Sequence, residues 1–370
     1  MTEKKYLIPV FILLFLAFLT SVSVSQPLRE ITDSNHRVVT IPIKIDRIIC
    51  SGPGCLRLIT YFGAQDRVVA VDDIETRTNK FDARPYSLAN PQFKSFPVFG
   101  GFRGNDDPEK IIGLKQSPQI IFKTFATMGY DPVELERKTE IPVVILEYGD
   151  LHKGRKQFFN SLKVIGQVLN KESRASELID FFNRHIQDLE SRTRDIADKK
   201  TCFVGGIAFK GPHGFQSTEP SYPPFKFVNA NNIAATKDMA GKNIRNSNFS
   251  KEKILQLDPS IMFLDLSTLQ MGEGQDGLHE LKNDPVYQGL TAVQANKVYG
   301  VLPYNWYTQN FGSILANAWY IGKILYPEKF LDITPEKKAD EIYEFLVSKP
   351  VFKSMKSLFK DIVFQPLELN

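Results

Sequence analysis

Asp107-Pro108-Glu109-Lys110-Ile111-Ile112-Gly113-Leu114 leads through Pro118 into the apolar run Ile120-Ile121-Phe122. Ser250-Lys251-Glu252-Lys253-Ile254-Leu255-Gln256-Leu257 leads through Pro259 into Ile261-Met262-Phe263-Leu264. Each stretch reads as a capped helix, a proline stop and a buried strand. Asp107 and Ser250 are good N-caps, and Pro108 stands at the favoured first helical position. The spacing therefore puts Glu109 and Glu252 at the second position of two equivalent helices. A chain that repeats this block is built from two similar halves.

Outward from the repeat, short apolar runs alternate with helical patterns. Arg47-Ile48-Ile49-Cys50 reads as a strand, Ser51-Gly52-Pro53-Gly54 as a turn, and Cys55 to Phe62 as a helix ended by Gly63. Val68-Val69-Ala70-Val71, Pro142-Val143-Val144-Ile145-Leu146, Thr201-Cys202-Phe203-Val204-Gly205-Gly206-Ile207-Ala208-Phe209 and Lys297-Val298-Tyr299-Gly300-Val301-Leu302 supply further strands. Continuous apolar strands between helices imply mostly parallel sheets covered on both faces. From Gly154 the apolar residues Phe158, Leu162, Ile165 and Leu169 recur at helical spacing; after a break at Asn170-Lys171-Glu172, Ala175, Leu178, Phe182, Ile186 and Leu189 continue it. The expected fold is α/β, with two Rossmann-like lobes of mostly parallel sheet joined by a long rigid interlobe helix. The expected division is residues 1–25 as a signal peptide, 26–150 as the first lobe, 151–170 as the interlobe helix and 171–370 as the second lobe.

Lys4-Lys5, an apolar stretch from Leu7 to Leu19 and the exit Ser23-Val24-Ser25 form a secretory signal pattern. The apolar stretch is shorter than the roughly 20 residues a membrane span needs. The mature chain is expected outside the cytoplasm, in a periplasmic or similar extracytoplasmic space. A formal net charge of +4 with no basic stripe argues against nucleic acid. Three cysteines, Cys50, Cys55 and Cys202, make no disulfide framework and have no zinc spacing. Cys50 and Cys202 lie in apolar strand contexts and read as core, although Cys50 and Cys55 can also bridge in an oxidising space.

This order of elements resembles the periplasmic substrate-binding proteins for iron–siderophore complexes and vitamin B12. The resemblance runs from about Ile31 to Pro366. It rests on the strand–Ser51-Gly52-Pro53-Gly54–helix opening, both repeat blocks, and Lys297-Val298-Tyr299 followed by an aromatic loop and a helix closing at Tyr326-Pro327. In that family one glutamate per lobe docks onto the permease dimer of an ABC importer that works with its ATPase. The matching positions are Glu109 and Glu252. The plainer reading of each is a carboxylate that complements a helix dipole. The resemblance implies a monomer with no cofactor of its own, a small-molecule metal chelate as ligand, no nucleic-acid partner, and membrane contact only through the permease.

Ligands of open α/β sheets sit beyond the carboxyl ends of the strands, and four loops qualify. Ser51 and Gly52 open the first, where free amides can hold an anion. Arg103 stands in Phe99-Gly100-Gly101-Phe102-Arg103-Gly104-Asn105, just upstream of the first repeat helix. His213 and Tyr222 belong to the long segment from Lys210 to Pro224. Tyr304, Trp306 and Tyr307 precede the last long helix, and aromatic faces with a few polar hooks suit a chelate. The segments from Asp73 to Phe96 and from Gly211 to Pro224 are longer than the family pattern, which leaves the chelate open. A ferric siderophore comes first. Alternatives are a corrinoid, a metal held directly by His213, Glu219, Tyr222, Tyr304 or Tyr307, an exported sensor, and an exported enzyme of metal chelates. Against an enzyme, no G-x-S-x-G, P-loop or H-E-x-x-H motif is present.

Overall fold

The computed structural model describes residues 27–235, 244 and 246–369. The expected signal peptide lies outside them. An antiparallel hairpin, β1 (Leu28–Thr32) and β2 (Val38–Pro42), opens the described chain. The first sheet follows with β3 (Ile48–Ser51), β4 (Val68–Asp72), β5 (Val98–Gly101), β6 (Asn105–Asp106), β7 (Ile120–Thr124) and β8 (Val143–Leu146). Its order is β6-β5-β4-β3-β7-β8, and only β6 runs antiparallel to its neighbour. Strands β3, β7 and β8 are buried at every position, polar Ser51, Lys123 and Thr124 included, as expected of a sheet covered on both faces.

The second half contributes β9 (Thr201–Gly205), β10 (Ser217–Thr218), β11 (Asn231–Asn232), β12 (Ser247–Asn248), β13 (Ile261–Asp265) and β14 (Val298–Val301). Strands β11-β9-β13-β14 form a parallel sheet, and β10 with β12 forms a small antiparallel pair. The order β4-β3-β7-β8 in one lobe corresponds to β11-β9-β13-β14 in the other. The two repeat blocks occupy matching places in it. Helix Pro108–Ile112 feeds β7 and helix Lys251–Leu257 feeds β13. The Asp107 carboxylate accepts from the Lys110 amide at 3.2 Å, and the Ser250 hydroxyl from the Lys253 amide at 3.3 Å. Glu109 and Glu252 thus stand at the second position of both helices, as the spacing predicts.

The crossing between lobes is helical. It consists of Arg155–Leu169 and the 22-residue Glu172–Thr193, parted at Asn170, which adopts φ 54°. Helix Arg155–Leu169 fills the expected interlobe stretch, and the longer helix completes the crossing. A second connection runs back the other way: helix Pro335–Val347 packs on helix Cys55–Tyr61 of the first lobe. Phe359 stacks on Phe81 of that lobe at 5.6 Å between ring centres. One continuous apolar core extends from Ile31 in the hairpin to Leu369, through both sheets.

The long segment after β4 is ordered around a buried cation. Arg84 pairs with Glu75 and Asp82, each at 2.8 Å, and the Tyr86 hydroxyl donates to Glu75 at 2.6 Å. Cys50, Cys55 and Cys202 are buried, unbridged thiols.

Candidate ligand cleft

A cavity of about 560 Å³ opens between the lobes. Its walls come from the loops that follow β3, β4, β5, β7, β9 and β14, all at the carboxyl ends of parallel strands. Six aromatic rings, Phe102, Phe125, Phe209, Tyr304, Trp306 and Tyr307, are among the lining residues. Three cations reach it: Arg77, Arg103 and Lys210. No carboxylate is among the lining residues. Arg77 is neutralised by Asp73 at 2.5 Å, whereas Arg103 and Lys210 form no ion pair with any described residue. Arg103 lies over Phe102 with its guanidinium carbon 5.1 Å from the ring centre, and Lys210 over Phe209 at 5.6 Å.

The loop from Pro303 to Asn310 forms one wall, and the first lobe holds it. Arg57, on helix Cys55–Tyr61, is 1% exposed. It donates to the carbonyls of Gln309 at 2.8 Å, Trp306 at 3.0 Å and Tyr307 at 3.3 Å. The Tyr148 hydroxyl accepts from Arg57 and donates to the Gln309 carbonyl at 2.7 Å. Tyr307 in turn donates its hydroxyl to buried Asp72 and accepts from the Arg103 amide at 3.2 Å. Burial, and then the nearby Glu75 charge, push the Asp72 carboxyl well above the usual carboxylate range. Tyr307 and Thr308 both adopt left-handed conformations, φ 48° and 64°. Consecutive non-glycine residues there are strained and persist only where surroundings fix them. Gly54 permits the close approach: a Cβ on it would lie 2.4 Å from the Tyr148 ring and 2.6 Å from Thr308.

Two polar side-chain atoms at the cavity are buried and have no protein partner, the Trp306 indole Nε1 and the Gln309 amide Oε1. One is a donor and the other an acceptor. Unpaired buried polar groups are costly in a folded chain.

Among the sequence-predicted contacts, Arg103, Tyr304, Trp306 and Tyr307 line the cavity together. The other four do not. The Ser51 hydroxyl is buried beneath the wall, donating to Asp106 at 2.8 Å and accepting from Lys123 at 3.0 Å. Gly52 (φ 87°) faces Thr124, whose carbonyl would be 2.5 Å from an added Cβ, so its turn serves strand packing. His213 is exposed and its Nε2 contacts the Phe209 carbonyl at 2.7 Å, which braces the loop from outside. Tyr222 is core: its hydroxyl accepts from Asn317 at 3.3 Å and its ring meets Phe225 and Tyr304 edge-on. Arg57, Phe125 and Lys210 were not anticipated as site residues. Arg57 carried a signal, a lone charge among Leu56, Leu58 and Ile59 in an otherwise apolar helix.

Away from the cleft, Glu109 and Glu252 are exposed, and neither forms an ion pair with a described residue. The neighbouring lysines are engaged elsewhere. Lys110 pairs with Asp107 at 3.3 Å, Lys251 with Asp284, and Lys253 lies 4.1 Å from the Phe249 ring centre.

Replacing Arg57 by Leu leaves the Trp306 and Tyr307 carbonyls buried without this donor, while Gln309 keeps Tyr148. The expected loss is about 3 kcal/mol of stability, read as a lower urea midpoint. A loss below about 1 kcal/mol would mean that the loop is held by other contacts.

Residues 48–304 match the family model described as periplasmic binding protein. The molybdate-binding protein MolA of Haemophilus influenzae is 24% identical over 358 residues, covering 90% of this chain and 95% of that one. The structure of MolA with molybdate superposes with a TM-score of 0.65 at 19% identity, over 87% of this chain and 98% of that one. A periplasmic solute-binding protein of Veillonella parvula superposes with a TM-score of 0.69 at 17% identity, over 90% and 99% of the two chains. The iron-uptake system-binding protein of Bacillus subtilis is 19% identical over 196 residues, 52% of this chain and 54% of that one. The chain belongs to the periplasmic binding protein family.

Proposed function

We propose that this periplasmic binding protein is exported, captures an anionic metal chelate between its lobes, and delivers it to the permease dimer and ATPase of an ABC importer. A ferric complex of the siderophore type is the leading cargo. The observation that carries this reading is the lining of the cleft: six aromatic rings, two unpaired cations and no carboxylate around about 560 Å³. Aromatic faces take the flat organic shell of a chelate, and the cations take its net negative charge. The iron-uptake relative supports this choice of cargo.

Molybdate is the second reading, favoured by the relative named for it and by the free charges of Arg103 and Lys210. The aromatic lining argues for the larger cargo, because a small hydrated oxyanion gains little from ring faces. A metal held directly by protein side chains has less support. Among the described residues no three His, Cys, Asp or Glu side chains converge. His213 and Tyr222, two ligands such a site would use, lie away from the cavity.

Calorimetric titration with ferric catecholates, ferric citrate, haem, cobalamin and molybdate tests the cargo class. Tight one-to-one binding of a negatively charged chelate is expected. The Arg103→Ala, Lys210→Ala double variant should weaken it about tenfold or more and flatten its salt dependence. Trp306→Ala should cost about 1–3 kcal/mol of binding. Equal affinity of wild type and double variant would refute the electrostatic part of the proposal.

Glu109 and Glu252 are assigned to transporter docking, since an exposed carboxylate at a helix start is free to meet a partner's basic group and to set orientation and encounter rate. The Glu109→Ala, Glu252→Ala variant should abolish cellular uptake while leaving chelate affinity intact. Normal uptake by that variant would remove the docking role.

A further inference from the structure

The two repeat helices agree in more than their glutamates. Ile111 and Ile254 point inward and are fully buried. One residue on, Ile112 is 58% exposed and Leu255 is 42% exposed. Each stands three residues after its glutamate, and helical residues three apart share one face. Each lobe carries one more exposed apolar side chain, on the repeat helix or on the helix packed against it. Val133, 57% exposed, lies on helix Pro132–Thr139, which packs on helix Pro108–Ile112. Leu257, 39% exposed, ends helix Lys251–Leu257. Single exposed apolar residues are ordinary on protein surfaces. An exposed aliphatic residue at the same step after an exposed glutamate without an ion pair, once per lobe, is a repeated surface.

We propose that Ile112 and Leu255 are apolar anchors of the docking surface, each seating in a pocket of one permease subunit beside the basic group that receives the glutamate. This rests on the docking role assigned above to Glu109 and Glu252. The partner is argued from the repetition. Two equivalent patches on one chain fit a partner that offers two equivalent pockets, as a dimeric permease does. A second copy of this chain fits less well, because a symmetric contact through either patch sets glutamate near glutamate. Lys110 and Lys251 are held by Asp107 and Asp284, so each patch presents an unpaired carboxylate beside apolar surface, with Lys253, on the Phe249 ring, next to Glu252.

The two components divide the kinetics. Exposed charge acts at a distance and governs association; apolar side chains act only in contact and govern the lifetime of the complex. Interfaces of this kind place apolar anchors at the centre and charge at the rim.

The test measures association and dissociation of the full mature protein on the host's permease–ATPase complex in lipid nanodiscs, at several salt concentrations. The Ile112→Ser, Leu255→Ser variant should dissociate about tenfold faster or more, with association within about twofold of wild type and an unchanged salt slope. The Glu109→Gln, Glu252→Gln variant should instead associate more slowly and lose salt dependence. Both variants alter exposed positions, and unchanged melting temperature confirms folding. If the serine variant dissociates at the wild-type rate while the glutamine variant associates slowly, the anchors are overturned and the docking glutamates stand. If neither variant differs from wild type, the docking face itself is wrong, and the anchors with it. If the serine variant changes only self-association of this chain by sedimentation, the occupant is a second copy and the proposal fails.

Discussion

The guanidinium of Arg57 is almost completely buried, and its hydrogen bonds go to backbone carbonyls on a loop some 250 residues away in the sequence. A buried charge is tolerated only where its donors are met. Here three carbonyl oxygens and the hydroxyl of Tyr148 meet the two terminal nitrogens, Nε alone is buried without a partner, and the Tyr86 and Tyr148 rings lie 5.2 and 6.0 Å from the guanidinium carbon. Charge-assisted bonds of this type are stronger than neutral ones and directional. They hold the left-handed backbone at Tyr307 and Thr308, and that backbone presents Trp306 and Tyr307 to the cavity. The binding wall is thus made by one lobe and positioned by the other.

The same junction is stiffened by packing. Phe311, at the start of the last long helix, meets Tyr148 at 5.0 Å and Phe158 at 4.1 Å between ring centres, and Phe182 edge-on at 6.1 Å. These rings come from the first lobe and from both crossing helices. Arg174 on the longer helix donates to the Tyr61 carbonyl at 2.9 Å, which ties the crossing to the first lobe. The C-terminal residues near Pro366 bridge to Tyr299 and cover the edge of β14, an edge that would otherwise invite pairing. A cleft built on a continuous core is largely preformed. On the proposed function, it would select cargo by shape and charge more than by large lobe closure.

Apolar periodicity, caps and prolines made the elements legible. The repeat around Glu109 and Glu252 exposed the duplicated topology, because an N-cap followed by a buried strand has a local signature. The runs in β3, β7 and β13 read as buried parallel strands because every position in them is apolar or covered. The cleft was legible only by loop: the Phe102-Arg103 and Tyr304-to-Tyr307 segments do face it. Within other loops, side-chain direction follows no period. His213 and Tyr222 share a distinctive segment, yet one braces the loop from outside and the other fills the core. Ser51 was read from the turn chemistry of its neighbours, while its partners Lys123 and Asp106 come from strands distant in sequence. Arg57 stands out as a lone charge in its helix, but its acceptors are carbonyls, which leave no mark in a sequence.

The central claim is that the cleft carries an anionic metal chelate. It is tested most directly by purifying the protein from its native host and identifying what accompanies it, by intact mass spectrometry together with elemental analysis. The account predicts one metal ion and one negatively charged organic chelator per protein, with iron the leading metal. Molybdenum without an organic component, or a metal-free nutrient in the cleft, would contradict it.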